Sequence, residues 1–385
     1  MSLPRTPFGS VCHLVNGKAF KHTDWSGAGV PIIRIQNLNG PDKPFNYWAG
    51  ALDKQVLVKT GDLLLAWSGT PGTSFGAHIW SGPSGILNQH IFRCDLHQKA
   101  ITKEWARIAV NHRLHRLIEQ AHGGVGLQHV TRGMVEELEI PLPPLAEQRR
   151  IAEVLDRAEA LRAKRRTALA QLDSLTQSLF LDLFGDPATN PKGWPAIQLG
   201  DVVFSVSDGP HVSPSYVESG IPFLSTRHVR PGGMSWEDLK FISLEEAQIH
   251  WRKCKPERGD ILYTKGGTTG IAKVVDFDEP VAIWVHIALL KTDKSKVEPL
   301  WLEAMLNAPF CYQQSQRLTR GIANRDLGLT RMVTIKMYLP PIELQRKFAR
   351  RVGAVEKLKA AQRASLAELD ALFASLQHRA FCGEL

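Results

Sequence analysis

The chain has 385 residues, 43% of them hydrophobic and 22% charged, a composition typical of a folded protein with two or three domains. Lysine and arginine outnumber aspartate and glutamate by 47 to 38, which gives a formal net charge of +9. This surplus favours a polyanionic partner, nucleic acid first and a membrane surface second. No apolar run approaches the roughly 18 residues that span a bilayer. Residues 1–23 contain no signal-peptide core and no lipidation motif, so the predicted localisation is cytoplasmic.

The five cysteines are odd in number and lie far apart in the sequence. This spacing fits neither a disulfide framework nor a zinc site. We therefore expect reduced thiols, most of them in hydrophobic cores, and no metal ion.

Residues 1–146 form the first predicted domain. Short apolar runs alternate with glycine and proline, which indicates strands joined by tight turns. Strands are predicted at residues 56–58 and 63–65, and a helix at residues 105–120. The segment is therefore predicted to be a mixed α/β domain.

Residues 147–187 contain the first predicted long helix. No glycine or proline occurs between residues 147 and 183, and apolar residues recur at steps of three and four. Pro143-Pro144 precedes the helix, and Gly185-Asp186-Pro187 ends it. At about 1.5 Å per residue the helix is roughly 55 to 60 Å long, more than one small domain needs.

Residues 188–342 and 343–385 repeat this organisation. The second predicted domain has strands at residues 261–263, 274–275 and 281–285 and a helix at residues 299–316. A second long helix carries the same apolar stripe from residue 343 to residue 381.

The chain contains an internal repeat. Leu142-Pro143-Pro144 recurs 197 residues later as Leu339-Pro340-Pro341, and the same offset relates Gln148-Arg149 to Gln345-Arg346. The two domains match more loosely, with offsets between 191 and 198, for example from His90 to His286. A shared frame with two divergent domains suggests that the domains differ in what they recognise.

The predicted fold class is α+β (mixed α/β). Two globular domains are separated by two long antiparallel helices, which form an intramolecular coiled coil with a pseudo-two-fold internal repeat. A narrow apolar stripe is best buried against its own copy. The alternative, an unrelated core helix in each domain, is disfavoured because such helices rarely exceed about 25 residues. The residues predicted to pair are Ile151, Leu155, Leu169, Leu172, Leu179, Val352, Val355, Leu366, Leu369 and Leu376.

Over nearly its whole length the chain resembles the specificity subunit of type I restriction-modification systems. The most specific matches are the segment Leu142 to Ile151 with its second copy and the terminal Gly383-Glu384-Leu385. Residues 61–69 and 259–262 are also similar to the family. The resemblance implies two target-recognition domains, each recognising one half of a split, asymmetric DNA site, with the helices as spacers.

The resemblance also implies the partners. Two modification subunits, which are adenine methyltransferases, would dock on the helices, and restriction subunits are further partners. The chain itself would carry no cofactor and no catalytic residue. S-Adenosylmethionine, ATP and Mg²⁺ would be bound by the partner subunits.

Three fragments resemble catalytic motifs. Asn307-Ala308-Pro309-Phe310 is similar to the adenine-methyltransferase motif, but one proline is replaced and no cofactor loop accompanies it. Asp238-Leu239-Lys240 lacks the partner carboxylate of a metal-dependent nuclease. Gly266 to Gly270 lacks the Gly-Lys-Ser/Thr of a P-loop. The favoured interpretation of each is structural.

Sequence recognition needs a few polar side chains that reach base edges, while others contact phosphate. Taken singly, each candidate is more often a hydrogen-bonding loop residue than a base contact. The candidates in the first domain are Arg34, Gln36, Asn37, Trp67, Ser68, Thr70, Thr73, Asn88, Gln89, His90, Gln128 and His129. Those in the second domain are Thr226, Arg227, His228, Lys265, Thr268, Thr269, Lys273, His286, Asn324 and Arg325.

The sequence therefore predicts a DNA-binding specificity subunit without enzymatic activity. Two alternatives stay open: an enzyme with its own DNA methyltransferase or nuclease domain, and a coiled-coil adaptor that binds only protein.

Overall fold

A computed structural model describes residues 3–40, 43–69, 75–119, 128–322 and 324–385. The chain divides into two compact units, which we describe separately. The first unit comprises residues 1–164 and 366–385, and the second comprises residues 165–365. Each unit therefore contains one globular domain together with one end of each long helix.

The first domain contains two four-stranded sheets and two strand pairs, and its helices are short except for α2. Its strands are β1 (Arg5–Pro7), β2 (Cys12–Asn16), β3 (Val30–Ile33), β4 (Asn46–Trp48), β5 (Leu57–Val58), β6 (Leu63–Ala66), β7 (Ser68–Gly69), β8 (Gly76–Ile79), β9 (Gly85–Leu87), β10 (Ile91–Leu96), β11 (Gln128–His129) and β12 (Glu139–Pro141). Its helices are α1 (Ile35–Asn39), α2 (Lys103–Glu119) and α3 (Arg132–Glu136), and the first long helix is α4 (Leu145–Phe184).

The second domain repeats the same plan. Its strands are β13 (Ala196–Gln198), β14 (Val203–Asp208), β15 (Tyr216–Val217), β16 (Ile221–Leu224), β17 (Val229–Arg230), β18 (Gly233–Met234), β19 (Lys240–Ile242), β20 (Ile261–Thr264), β21 (Ala272–Val274), β22 (Ala282–Ile283), β23 (Ile287–Thr292) and β24 (Lys336–Tyr338). Its helices are α5 (Leu244–Trp251), α6 (Pro299–Asn307), α7 (Pro309–Leu318) and α8 (Leu329–Met332), and the second long helix is α9 (Ile342–Cys382).

Corresponding strands are paired in the same way in both domains. The antiparallel sheet β2-β10-β6-β8 of the first domain matches β14-β23-β20-β21 of the second. Each domain also has a mixed sheet with one parallel pair, β3 with β9 and β16 with β22. The offset between equivalent residues varies from one part of the domain to another, but both domains keep one topology. The reason is that the buried apolar positions of the strands are retained.

A half-buried asparagine attaches a helix to the antiparallel sheet at the same place in each domain. The Asn111 amide receives a hydrogen bond from the backbone N–H of Ala77 (2.8 Å) and donates one to its carbonyl (3.0 Å). Asn307 makes the same two contacts with Ala272, both at 2.9 Å. This structural role accounts for the asparagine of the fragment that resembles a methyltransferase motif.

The helix predicted at residues 299–316 is two helices. Ala308 has extended backbone angles, and Pro309 follows it as the first residue of α7. Proline disfavours the helical conformation of the preceding residue, which explains the break.

The long helices agree with the prediction to within a few residues. α4 has 40 residues and α9 has 41. α4 ends at Phe184, and the next residue, Gly185, has a φ of +77°, in the left-handed region that glycine adopts without strain.

The two long helices run antiparallel within each unit, as the repeat predicts. In the first unit Arg162 contacts Asp370 at 2.6 Å. In the second unit the repeat equivalents of these residues, Lys359 and Asp173, contact each other at 2.9 Å. An antiparallel pairing of two copies of one sequence produces such matched contacts.

The predicted pairing residues are buried or half-buried. Ile151, Leu155, Val352 and Val355 are buried, and the other six are half-buried. Four stripe leucines instead face solvent, 40 to 54% exposed: Leu161, Leu175, Leu358 and Leu372.

The end of each long helix completes the core of one domain. In the first unit Trp105 is fully buried, and its ring lies 5.4 Å from Phe381. In the second unit the fully buried Trp301 lies 6.3 Å from Phe184, the repeat equivalent of Phe381. Each domain therefore packs against the helix that follows the other domain in the sequence.

All five cysteines are free, and four of them are buried. In the described part of the chain, no helix has the length and apolar character needed to cross a membrane.

Candidate nucleic-acid interface

Three segments of the first domain are joined to one another by backbone hydrogen bonds. The backbone N–H of Trp67 donates to His90 O (3.3 Å), and that of Val130 donates to Trp67 O (3.1 Å). Strand β7 also pairs with β11. We call residues 67–69, 88–90 and 128–130 the first loop cluster.

The first loop cluster contains most of the predicted candidates of its domain. Trp67 is half-buried, and its ring stacks on Phe92 at 5.5 Å. Gln89 is exposed, and its Nε2 lies 3.2 Å from Nε2 of the half-buried His90. Ser68 is buried, and Asn88 is half-buried with Oδ1 accepting from the backbone N–H of His90.

The candidates that follow strand β3 differ in exposure. Arg34 is half-buried, and its guanidinium lies 5.1 Å above the ring of Trp25. Gln36 donates to Pro44 O at 3.3 Å. Asn37 is 2% exposed, and its amide bonds to Arg34 N and Lys43 O. These contacts use the Asn37 side chain in local structure, so we leave it out of the proposed interface.

The structure describes no side chain for four candidates of the first domain. Thr70 and Thr73 lie outside the described residues. For Gln128 and His129 only the backbone is described, as strand β11.

The second domain has a matching loop cluster. Lys265 N donates to His286 O (2.8 Å), and Leu327 N donates to Lys265 O (2.7 Å). Lys265, His286 and Leu327 are the repeat equivalents of Trp67, His90 and Val130, so the two bonds are equivalent in both domains. We call residues 265–270, 284–286 and 324–326 the second loop cluster.

A buried ion-pair network supports the second loop cluster. Lys265, 6% exposed, lies 3.3 Å from Asp208 and 3.2 Å from Asp326. Lys253 also contacts Asp208 at 2.6 Å. Burial raises the pKa of the Asp208 carboxyl, but its contacts with Lys253 and Lys265 outweigh this and lower the pKa. Two carboxylates thus form ion pairs with the ammonium group of Lys265. These ion pairs stabilise the loops of the second cluster.

Three further candidates of the second domain are buried and bonded within the protein. Lys273 contacts Asp276 (2.9 Å) and Glu303 (3.5 Å). Thr269 Oγ1 lies 3.1 Å from Thr319 Oγ1. His228 Nδ1 accepts a hydrogen bond from Ser225 N at 2.8 Å. As with Lys265, these contacts favour a structural role over base contact.

The remaining candidates of the second domain are accessible. Thr226 and His286 are half-buried. Arg227, Thr268, Asn324 and Arg325 are exposed. Arg325 donates to Gln316 Oε1 at 2.6 Å, and its carbonyl accepts from Gly267 N at 3.0 Å.

Three basic residues beside these clusters were not predicted from the sequence: Lys18, Arg317 and Arg320. Lys18 lies 4.2 Å above the ring of Trp48, a cation–π contact beside the first loop cluster because Gln89 N bonds to Lys18 O. Arg317 and Arg320 are exposed beside the second cluster. No spacing rule marks these residues, because their proximity depends on tertiary folding.

The structure describes both fragments that resemble nuclease and P-loop motifs. Asp238 has a φ of +52°, and Lys240 lies 4.3 Å above the ring of Tyr216. Gly266 packs so closely that a Cβ would lie 2.1 Å from His286 Nδ1. Across the residues that the structure describes, no group of three or more His, Cys, Asp or Glu is placed to hold a metal ion.

Comparison with known proteins identifies the family. A family profile described as "Type I restriction modification DNA specificity domain" matches residues 7–172 and 191–370. The chain is 25% identical to the type I restriction enzyme EcoBI specificity subunit of Escherichia coli, over 99% of this chain and 86% of the relative. It is 24% identical to the MjaVIII specificity subunit of Methanocaldococcus jannaschii, over 80% of this chain and 75% of the relative.

Solved structures support the fold. The chain matches the type I restriction-modification S subunit from M. genitalium with a TM-score of 0.65 and 15% identity, over 98% of this chain and 96% of that one. A chain from a study of complex assembly and conformational transition of the type I R-M system matches with a TM-score of 0.55 and 19% identity, over 100% of this chain and 98% of that one.

The family profile covers both halves of the repeat, and each match contains one globular domain with most of the helix that follows it. The chain therefore belongs to the type I restriction-modification DNA specificity family.

Proposed function

We propose that the chain recognises a bipartite, asymmetric DNA site as the specificity subunit of a type I restriction-modification complex. The observation that carries this proposal is the pair of loop clusters, which share a backbone framework but differ in side chains. Gln128 in the first cluster corresponds to the exposed Arg325 in the second. Side chains specify base pairs, so different side chains on one framework recognise different half-sites.

The chain acts without catalysis of its own. In the fragment that resembles a methyltransferase motif, the Asn307 side chain is used in two hydrogen bonds with Ala272. S-Adenosylmethionine, ATP and Mg²⁺ belong to the modification and restriction subunits. The contribution of this chain is to hold those subunits at the chosen site.

Two modification subunits dock on the long helices. In the first unit the exposed Leu161 and Leu372 flank the ion pair of Arg162 with Asp370. In the second unit their repeat equivalents, Leu175 and Leu358, flank the matching ion pair. Two equivalent apolar surfaces fit two copies of one partner, because a repeated surface presents the same contacts twice.

Two assays of the purified chain and the assembled complex test this function. With modification subunits added, the complex should bind one bipartite sequence with nanomolar affinity and methylate adenine within it. The chain alone should neither methylate nor cleave DNA. Methyl transfer by the chain alone would favour a fused enzyme, and sequence-independent binding by the complex would favour a protein adaptor.

A further inference from the structure

The loop that joins α7 to α8 presents one isoleucine to solvent. Ile322 is fully exposed, although isoleucine is among the residues most often buried. A single exposed apolar residue is ordinary on a protein surface. Three further observations set Ile322 apart: the loop that holds it, the charge around it and its repetition.

Backbone contacts join the two ends of the loop at residues 320 and 326. Arg320 and Asp326 form an antiparallel bridge with two hydrogen bonds, of 2.9 and 2.8 Å. Gly321 has a φ of +85°, and a Cβ there would lie 2.2 Å from Asn324 O. Only glycine fits this turn. The conformation of the turn therefore directs the Ile322 side chain to solvent, where it packs against no other residue that the structure describes.

The surroundings of Ile322 are basic. Arg317, Arg320 and Arg325 are all exposed. The acidic residue of the loop, Asp326, contacts Lys265 at 3.2 Å and Arg331 at 3.1 Å. An apolar tip among exposed arginines complements a polyanion that also carries apolar groups.

The first domain repeats this feature in sequence. Gly124-Val125 lies 197 residues before Gly321-Ile322, so a β-branched apolar residue follows the glycine in both copies. Residues 124 and 125 lie outside the described residues. The backbone bond that follows the loop is nevertheless equivalent in both domains, from Val130 N to Trp67 O and from Leu327 N to Lys265 O.

We propose that Ile322 is a specificity-determining residue that contacts the 5-methyl group of a thymine in the half-site of the second domain. This inference rests on the proposed DNA recognition. In the major groove the thymine methyl is the apolar group of the base edges, and it is the natural partner for an isoleucine surrounded by phosphate-binding arginines.

The test uses the full chain assembled with its modification subunits. Binding is measured on the native site and on versions in which uracil replaces each thymine in turn, which removes only the methyl group. Ile322→Ala should lower affinity roughly four- to tenfold on the native site, whereas Ile322→Val should keep most of it. The salt dependence should not change, since no phosphate contact is lost. Ile249→Ala, an exposed isoleucine in α5, is the matched control and should bind as the wild type does.

At one thymine position, replacement by uracil should lower the DNA affinity of the wild-type complex by a factor similar to that of Ile322→Ala. The uracil replacement and Ile322→Ala together should lower the affinity no more than either change alone. Native affinity of Ile322→Ala, or additive losses at every uracil position, would overturn the proposal. Loss without any uracil effect, accompanied by unstacking of a 2-aminopurine probe, would show a wedge between bases and would also overturn it. If the wild-type complex binds no specific site, the proposed function fails instead.

Discussion

At the scale of single residues, a buried glutamine explains why Gln148 recurs as Gln345 at the start of the second long helix. Gln148 is fully buried; it accepts from Thr102 N (2.8 Å) and donates to Ala100 O (2.9 Å) and Pro143 O (2.8 Å). Gln345 makes the equivalent three bonds with Glu298, Lys296 and Pro340. In both units this side chain joins the long helix to the globular domain.

Gln148→Leu should lower the free energy of unfolding by about 1–3 kcal/mol, because buried backbone groups of Thr102, Ala100 and Pro143 lose their partner. The change is measured as a shift of the thermal or urea unfolding midpoint. Gln171→Leu, at an exposed position of the same helix, is the control and should leave the midpoint nearly unchanged. Equal stability of the two variants would contradict the role of Gln148.

The buried His228 should make stability depend on pH. Burial, followed by the nearby Arg227, lowers the pKa of His228 below 6.5, and its unprotonated Nδ1 accepts from Ser225 N. The unfolded chain therefore binds the proton more readily. The stability that neutral His228 provides is complete above the unfolded pKa and falls as the pH drops below about 6.5.

His228→Gln keeps an acceptor for Ser225 but cannot be protonated, so its stability should fall less between pH 7.5 and pH 5. Urea unfolding at several pH values measures the difference. His378→Gln, at an exposed site of α9, should retain the wild-type slope. An unchanged slope for His228→Gln would show that the histidine is not neutral in the fold.

At the scale of elements, the apolar stripe divides into a pairing face and an exposed face. Leu169 and Leu366 are half-buried, whereas Leu175 is 40% exposed. Leu169→Asp should cost about 2 kcal/mol or more, because it places an unpaired carboxylate in the helix pair. Unchanged stability and assembly of Leu169→Asp would show that the stripe does not pair.

Leu175→Asp should leave the melting temperature nearly unchanged but weaken binding of a modification subunit, measured by calorimetry.

The repeat made the elements predictable, but it did not make the individual contacts predictable. The long helices follow from local signals, namely the apolar period, the leading prolines and Gly185. The burial of Lys265 depends on Asp208, which is 57 residues away in the sequence, and that of Asn37 depends on a local loop. Side chains that are equally polar in sequence therefore differ in exposure for reasons of tertiary contact.

At the scale of the whole molecule, each half of the chain lacks one part of its core. Phe381 packs on Trp105 in the first unit, and its repeat equivalent Phe184 packs on Trp301 in the second. A chain of residues 1–186 loses Phe381 but still has Phe184. In an antiparallel dimer of this half, Phe184 of one copy can take the place of Phe381 in the other, so a symmetric dimer should form.

Mapping of methylated adenines across the genome tests the central claim, that each domain recognises one half of a split site. With the modification subunits, the full chain should produce methylation at an asymmetric site of two different halves separated by a spacer. Residues 1–186 should produce methylation at a palindrome made of one of those halves twice. Methylation by the half-chain at the full asymmetric site, or at a palindrome unrelated to either half, would contradict the account.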